Sequence, residues 1–374
     1  MRWPMKVALI HDYLNQYGGA ERVLEVLLDI FPDAHIFTLL YSPERTSARF
    51  RRNVHKTSLL DFSLARHHHR IFIPLMPAAV RSLRVENHYD LILSDSAGYA
   101  KGVPQDGHAF HLSYCYTPLR YAWEIQNYFS NPVFKTLFAP IFRYLRSWDY
   151  RAAQKPDVLL AVSGFIAGKI RQYYGRAASV VYPPVNYDGF YYDPPVVPAG
   201  SSSSYYLAAG RLLHYKKFSL LVEAFLELGR NLWIVGTGPE MPKLEQMSGR
   251  SGRIRLLGNV TDSELRALYC GAQAFLFPQV EDFGLVAAEA LACGTPVIAY
   301  AGGGSLEIVQ EGVTGIFFRE QSVESIVDAV RRFELMDFDR REIAAGSRNF
   351  SAEKFRAGIL QSLPSGLRRR MGLE

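Results

Sequence analysis

At 374 residues, 48% of them hydrophobic and 21% charged, the chain has ordinary globular composition and enough apolar content for two buried cores. The formal charge of +6 is unevenly placed: residues 1–190 carry 22 Lys and Arg against 15 Asp and Glu, which leaves 20 against 21 for the rest. There is no run of eighteen apolar residues, and MRWPMKVALIHDY has no signal-peptide apolar region or small-residue cleavage site, so a cytoplasmic protein is expected.

The opening half alternates short apolar runs with helical patterns: KVALIH, a Gly18-Gly19 turn, ERVLEVLLDIF, AHIFTLL, YDLILSDS, FHLSYCY and DVLLAVS. This βαβ rhythm predicts a parallel sheet covered on both faces. Prolines, glycines and serines interrupt it from Tyr182 to Ser204. It then restarts with YYLAAGR, a helix over Phe218–Leu228, NLWIVGTG, a helix from Pro239, RIRLLGNV, a helix over Ser263–Cys270, and the strand AFLF (Ala274–Phe277). PQVEDFGLVAAE (Pro278–Glu289) follows, then PVIAY and Gly302 to Gly304. The expected architecture is α/β, two Rossmann-like parallel-sheet domains facing across a cleft. Their bounds are residues 1–185 and 186–350, with a helix in 351–374 packing back on the first.

Cys115, Cys270 and Cys293 are far apart in apolar segments and read as small buried hydrophobes in a reducing compartment. Basic clusters occur at Arg45–Lys56, at Leu64–Arg70, at Arg143, Arg146 and Arg151, and at Arg368–Arg370. Each fits either a solvated surface or a contact with anionic lipid or a phosphorylated acceptor. Nucleic acid is not expected, because no helix-turn-helix, zinc-finger or RNP-like signature accompanies the charge.

Four stretches carry candidate chemistry. Gly18 and Gly19 lie between the first strand and the first helix, where open α/β sheets bind ligands; a plain tight turn fits them equally well. Arg211 and Lys216 follow the first strand of the second half and suit a diphosphate without a metal, or else are two surface cations. Phe283-Gly284-Leu285 opens a helix whose N–H groups favour an anionic or hydroxyl-rich ligand. Glu281 before that helix and Glu289 within it either touch one extended ligand, or are a cap and a solvated residue. Gly164 to Lys169 is one residue short of a phosphate-binding P-loop and has Ile170 where that motif needs Ser or Thr. Asp337 to Asp339 reads as a helix cap, and His67 to His69 as an exposed basic turn. Asn131 to Tyr144 is aromatic and amphipathic, as a core helix or a membrane-surface helix would be. No metal site is expected.

GRLLHYK (Gly210–Lys216), IVGTGPE (Ile234–Glu240), LLGNV (Leu256–Val260) and the run from Glu281 to Val309 resemble, in order and spacing, the retaining glycosyltransferases of the GT-B fold, family 4. HDYLNQYGGAER and YCYTPLRYAWE (Tyr114–Glu124) resemble the bacterial O-antigen mannosyltransferase subgroup typified by WbaZ. The resemblance implies that Arg211 and Lys216 hold the donor diphosphate, and that Glu289 holds the ribose. Glu281 and the backbone of Phe283, Gly284 and Leu285 would hold the sugar hydroxyls, Val260 the base, and Gly19 the phosphates from the opposite domain. Tyr116 stands where the subgroup carries histidine, in the loop facing the donor sugar; His111, five residues earlier, is a substitute only if the loop geometry allows it.

The implied activity is transfer of a hexose, mannose from GDP-mannose, with retention onto a glycan or polyprenyl-diphosphate-linked acceptor. It would need no cofactor and no metal, and would take place at the cytoplasmic face of the membrane. Charge growing on the leaving diphosphate would be met by Arg211, Lys216 and helix N-termini. A nucleotide-sugar 2-epimerase of related architecture and a non-catalytic nucleotide-sugar or glycan-binding member of a polysaccharide assembly complex remain as rivals.

Overall fold

The computed structural model describes residues 5–86, 88–125, 136–194, 204–249 and 251–373. The serine-rich end of the expected linker (195–203) and the start of the aromatic stretch (131–135) lie outside the described residues. The chain forms two compact units, Met1–Pro183 with Phe355–Glu374, and Pro184–Lys354.

The first unit is built on a seven-stranded parallel sheet. Its strands are β1 Val7–Leu14, β2 His35–Tyr41, β3 Val54–Thr57, β4 Leu91–Ser96, β5 Phe110–Cys115, β6 Val158–Ala161 and β7 Ser179–Val180. Their order is β3-β2-β1-β4-β5-β6-β7. Ala8, Leu9, Ile10, Leu91, Ile92 and Leu93 are fully buried, the continuous burial that a parallel sheet with both faces covered requires. The helix Gly19–Ile30 presents Val23, Leu24, Leu27 and Leu28 at helical spacing to that sheet, and Glu21 reaches back to the Gly18 N–H at 2.8 Å. The chain end returns to this unit: the Phe355 ring meets Tyr114 edge-on at 5.3 Å, and Arg370 makes a two-point pair with Asp90.

The second unit repeats the plan with six parallel strands: β8 Tyr206–Ala209, β9 Leu232–Val235, β10 Ile254–Gly258, β11 Phe275–Phe277, β12 Val297–Tyr300 and β13 Gly315–Phe318, in the order β10-β9-β8-β11-β12-β13. Tyr206, Phe225, Leu232, Ile234, Ile298, Phe318 and Val330 share its core. Each fully buried side chain of that size contributes about 1.5–3 kcal/mol. The order reverses between β1 and β4 in one unit and between β8 and β11 in the other. In open α/β sheets such a reversal opens a crevice at the carboxyl ends of the strands, and ligands bind there.

Candidate functional site

In the second unit the loops leaving β8, β9, β10, β11 and β12 converge on one edge. β8 ends at Ala209, so Arg211 and Lys216 occupy the turn just beyond the strand end. Arg211 is exposed and has no side-chain partner among the described residues. Lys216 closes a short helical turn whose next residue, Lys217, has φ +60°. Lys217 is the one non-glycine residue with positive φ among the described residues, a strained backbone beside a candidate ligand group.

Glu281, from the loop after β11, forms an ion pair with Lys216, and Gln279 Nε2 lies 3.4 Å from the same carboxylate oxygen. The Gln279 Oε1 atom is buried without a hydrogen-bond partner among the described residues. The helix Leu285–Ala292 starts at Gly284, whose φ of +113° only glycine adopts without strain, and has no side-chain cap. The expectation that Glu281 might cap this helix is therefore replaced: its carboxylate turns to Lys216. Phe283 is buried, Leu285 is half-buried, and Glu289 is buried on the inner side of the helix.

The glycine run after β12 explains how this loop is held. Glu281 bridges to Gly303, and the Gly304 N–H donates to Glu281 O at 2.9 Å. A Cβ on Gly304 would sit 2.2 Å from Phe283 O. Val260 follows β10 immediately before Thr261, which caps the helix Asp262–Gly271 through the Glu264 N–H. The edge thus brings together Arg211, the Lys216–Glu281 pair, the glycine-started helix and Val260. Lys216 is not a second free cation beside Arg211, as the sequence suggested, because a carboxylate neutralises it.

The first unit holds a second cluster at its own strand ends. Gly18 and Gly19 stand at the start of the first helix, with Gly18 in extended backbone. Beneath them the His11 imidazole lies 3.0 Å from Asp95 Oδ2 through Nδ1 and 3.7 Å from Glu21 Oε1 through Nε2; all three side chains are buried. Burial opposes the imidazolium, but the two carboxylates, Asp95 foremost, outweigh it and push the His11 pKa up to about 10. Burial also raises the Asp95 carboxyl, against the pull of His11. Glu21 meanwhile accepts the Gly18 N–H, so the histidine is tied to the glycine turn.

Asp12, next in sequence, accepts the N–H groups of Ala97, Tyr99 and Ala100 at 2.6–2.9 Å and so fixes the loop after β4. Tyr116, just past β5, donates to Ala20 O at 3.3 Å, with the Asp95 carboxylate as its other neighbour. Burial, with Asp95 adding to it, pushes its hydroxyl well above the ordinary tyrosine value, so Tyr116 is a neutral donor at any physiological pH.

The rest of the Tyr114–Glu124 stretch is anchored from behind. Trp123 Nε1 and Tyr174 OH each donate to Asp149 Oδ2 at 2.7 Å, and Lys101 pairs with Asp149 at 2.6 Å with both side chains fully buried. Arg146, taken from sequence as part of a basic patch, instead donates to Ala122 O and stacks over Trp123. Lys169, in the near-miss P-loop, pairs with Glu124. Asp339 caps the helix Arg340–Gly346.

His111 cannot stand in for an imidazole near Tyr116. It lies at the opening of β5, where its Nε2 meets Ser94 Oγ at 2.9 Å, and burial pulls its pKa down to about 3. An odd offset of five along a strand also places it on the opposite face from Tyr116. His11, Asp12, Glu21 and Asp95 were missed by sequence reasoning. HDY at the end of a buried strand, followed by Glu21 at the third helical position, was the available signal.

The fold is that of two Rossmann-like parallel-sheet domains, the GT-B class. Sucrose-phosphate synthase from Thermosynechococcus elongatus superposes with a TM-score of 0.71 at 18% identity over 98% of this chain and 99% of that one. Anabaena HepE in complex with UDP and glucose gives 0.67 at 18% identity over 95% and 99%. Residues 195–350 match the family model described as glycosyl transferases group 1. A GDP-mannose-dependent alpha-(1-6)-phosphatidylinositol monomannoside mannosyltransferase of Mycobacterium tuberculosis is 32% identical over 219 residues, which cover 52% of this chain and 57% of that relative's length. The chain therefore spans little more than half of that relative.

Proposed function

We propose that the chain is a retaining glycosyltransferase that moves a hexose, mannose from GDP-mannose, onto a glycan or polyprenyl-diphosphate-linked acceptor. The observation that carries this reading is the strand-end edge of the second unit, where Arg211 and the Lys216–Glu281 pair surround a glycine-started helix within the segment that matches the glycosyl transferases group 1 model. Arg211 and Lys216 take the diphosphate. An incoming diphosphate competes with Glu281 for Lys216, which frees that carboxylate for sugar hydroxyls. Glu289 takes the ribose, and the backbones of Val260, Phe283, Gly284 and Leu285 take the base and sugar. Gly18, Gly19 and Tyr116 are the ligand-facing groups of their own unit. The choice of mannose follows the GDP-mannose-dependent mycobacterial mannosyltransferase to which the chain is similar.

Arg and Lys supply the charge that a metal would otherwise bring, so transfer is expected to persist in EDTA. The first test is a thermal-shift series with GDP-, UDP- and ADP-sugars. A donor at a hundredfold excess over its Kd stabilises the fold by about 2.7 kcal/mol. GDP-mannose is expected to give the largest shift, and failure of every nucleotide sugar to move the melting temperature would sink the assignment. Product analysis with GDP-mannose alone then separates transfer from epimerisation.

A further inference from the structure

The loop between β11 and the glycine-started helix inverts the usual order of burial. Polar Gln279 is 2% exposed, while apolar Val280 beside it is 43% exposed. Glutamine is ordinarily a surface residue, and a short stretch that breaks such a local rule marks a place where something other than the fold sets the choice. The backbone on both sides is fixed. Gln321 Nε2 donates to Pro278 O at 2.7 Å, and the Gly304 N–H donates to Glu281 O at 2.9 Å.

The Gln279 amide makes one side-chain hydrogen bond among the described residues, from Nε2 to Glu281 Oε1 at 3.4 Å. The reverse orientation would set two oxygens against each other, so the nitrogen faces the carboxylate. Oε1 is left buried with no hydrogen-bond partner among the described residues. A buried acceptor in that condition costs the fold, and a side chain of similar length without the amide would avoid the cost. Stability therefore does not account for glutamine here. What the amide supplies is a second donor on the Glu281 oxygen that Lys216 also engages.

The two donors differ in what a ligand does to them. Lys216 is a cation that a diphosphate draws to itself by a charge-assisted bond, whereas a neutral amide has no charge to be drawn by. Gln279 thus remains on Glu281 after Lys216 has turned to the ligand. A bond from a buried side chain on a fixed backbone then keeps the carboxylate in one place.

We propose that Gln279 is a positioning residue for the donor sugar: it holds the Glu281 carboxylate toward the sugar hydroxyls once the diphosphate has taken Lys216. This rests on the donor site proposed above, and adds the residue that separates binding of the sugar from binding of the nucleotide.

The test is titration of the full chain with GDP and GDP-mannose, and in parallel with UDP and UDP-glucose, with no acceptor present. Wild type, Gln279→Met, Glu281→Ala and the double variant are compared on the pair that wild type binds more tightly. Gln279→Met should keep the Kd for the nucleoside diphosphate within about twofold and raise that for the nucleotide sugar about tenfold, the loss expected of one hydrogen bond to a charged group. The double variant should bind the nucleotide sugar as Glu281→Ala does, because the amide acts through the carboxylate. The melting temperature of Gln279→Met should equal or exceed that of wild type, and Gln279→Leu serves as a second variant.

Equal Kd values for Gln279→Met and wild type overturn the proposal and leave the donor site in place. An equal loss of nucleotide and nucleotide sugar overturns it too, since the amide would then support the whole site. Losses that multiply in the double variant would show that Gln279 acts apart from Glu281, which also overturns it. A lower melting temperature in both Gln279→Met and Gln279→Leu would return the amide to the fold. Wild type that binds neither pair removes the donor site itself, and this inference with it.

Discussion

The two strand-end clusters occupy the same place in the same kind of sheet, yet they are built in opposite ways. In the first unit, His11, Asp95, Glu21 and Asp12 are buried and make their hydrogen bonds chiefly to each other and to backbone, although Asp95 Oδ1 is buried without a partner among the described residues. In the second, Arg211 is exposed, and the Lys216–Glu281 pair keeps some solvent access on both partners. A sealed cluster can fix the shape of a loop but has little left for a ligand, whereas an open one can exchange its partners for a ligand's. The difference predicts that substitutions in the first cluster act on stability and those in the second on turnover.

The largest expected effect lies in the sealed cluster. His11→Gln removes a cation held between two buried carboxylates and should cost on the order of 3–5 kcal/mol in denaturant unfolding at neutral pH. The pH dependence fixes its sign. The folded pKa of about 10 lies above the unfolded value of 6.5, so the stabilisation is complete below pH 6.5 and is lost as pH rises through the folded value. Wild type should lose about 3 kcal/mol more than His11→Gln between about pH 6.5 and pH 9. Parallel curves for the two proteins would show that His11 carries no charge in the fold. That result would remove the contrast between the clusters.

Arg211→Ala probes the open cluster. Its guanidinium has no side-chain partner among the described residues, so folding stability should stay within about half a kcal/mol of wild type. Turnover should fall by on the order of a hundredfold, the range for losing one group that meets developing charge. Near-normal turnover in the folded variant would remove Arg211 from the proposed site. A loss of stability matching the loss of turnover would place it with the sealed residues instead.

Much of this was legible in the sequence because it depends on local pattern. The βαβ rhythm predicted both parallel sheets, and the helix expected over Phe218–Leu228 is observed with those bounds. Glycine-rich turns at strand ends located both clusters. What escaped were contacts between residues far apart in sequence: His11 with Asp95 spans 84 positions and Lys216 with Glu281 spans 65. No helical or strand period links such pairs, so Glu281 stayed open between a ligand contact and a cap. Arg211 with Lys216 read as two cations for a diphosphate or for the surface, with no sign that Lys216 and Glu281 pair. His111 failed for a related reason. Nearness in sequence to Tyr116 says nothing of which end or face of a strand a side chain occupies.

Tyr116 combines properties of both kinds of cluster and is the smallest and sharpest test. It is half-buried at a strand end, yet its hydroxyl is engaged by Ala20 O and lies beside Asp95. Tyr116→Phe deletes one donor and leaves those acceptors short, a loss of about 1 kcal/mol if the hydroxyl serves only the fold. Turnover would then fall no more than the folded fraction does. The hydroxyl stays protonated because burial and Asp95 raise its pKa well above the ordinary value, so the pH profile of the variant should match that of wild type. A tenfold or greater loss of turnover at unchanged melting temperature would instead mean that the hydroxyl meets the ligand. In that case the first unit is open at Tyr116 and sealed only beneath it, with His11 and Asp95 holding a donor that acts beyond them.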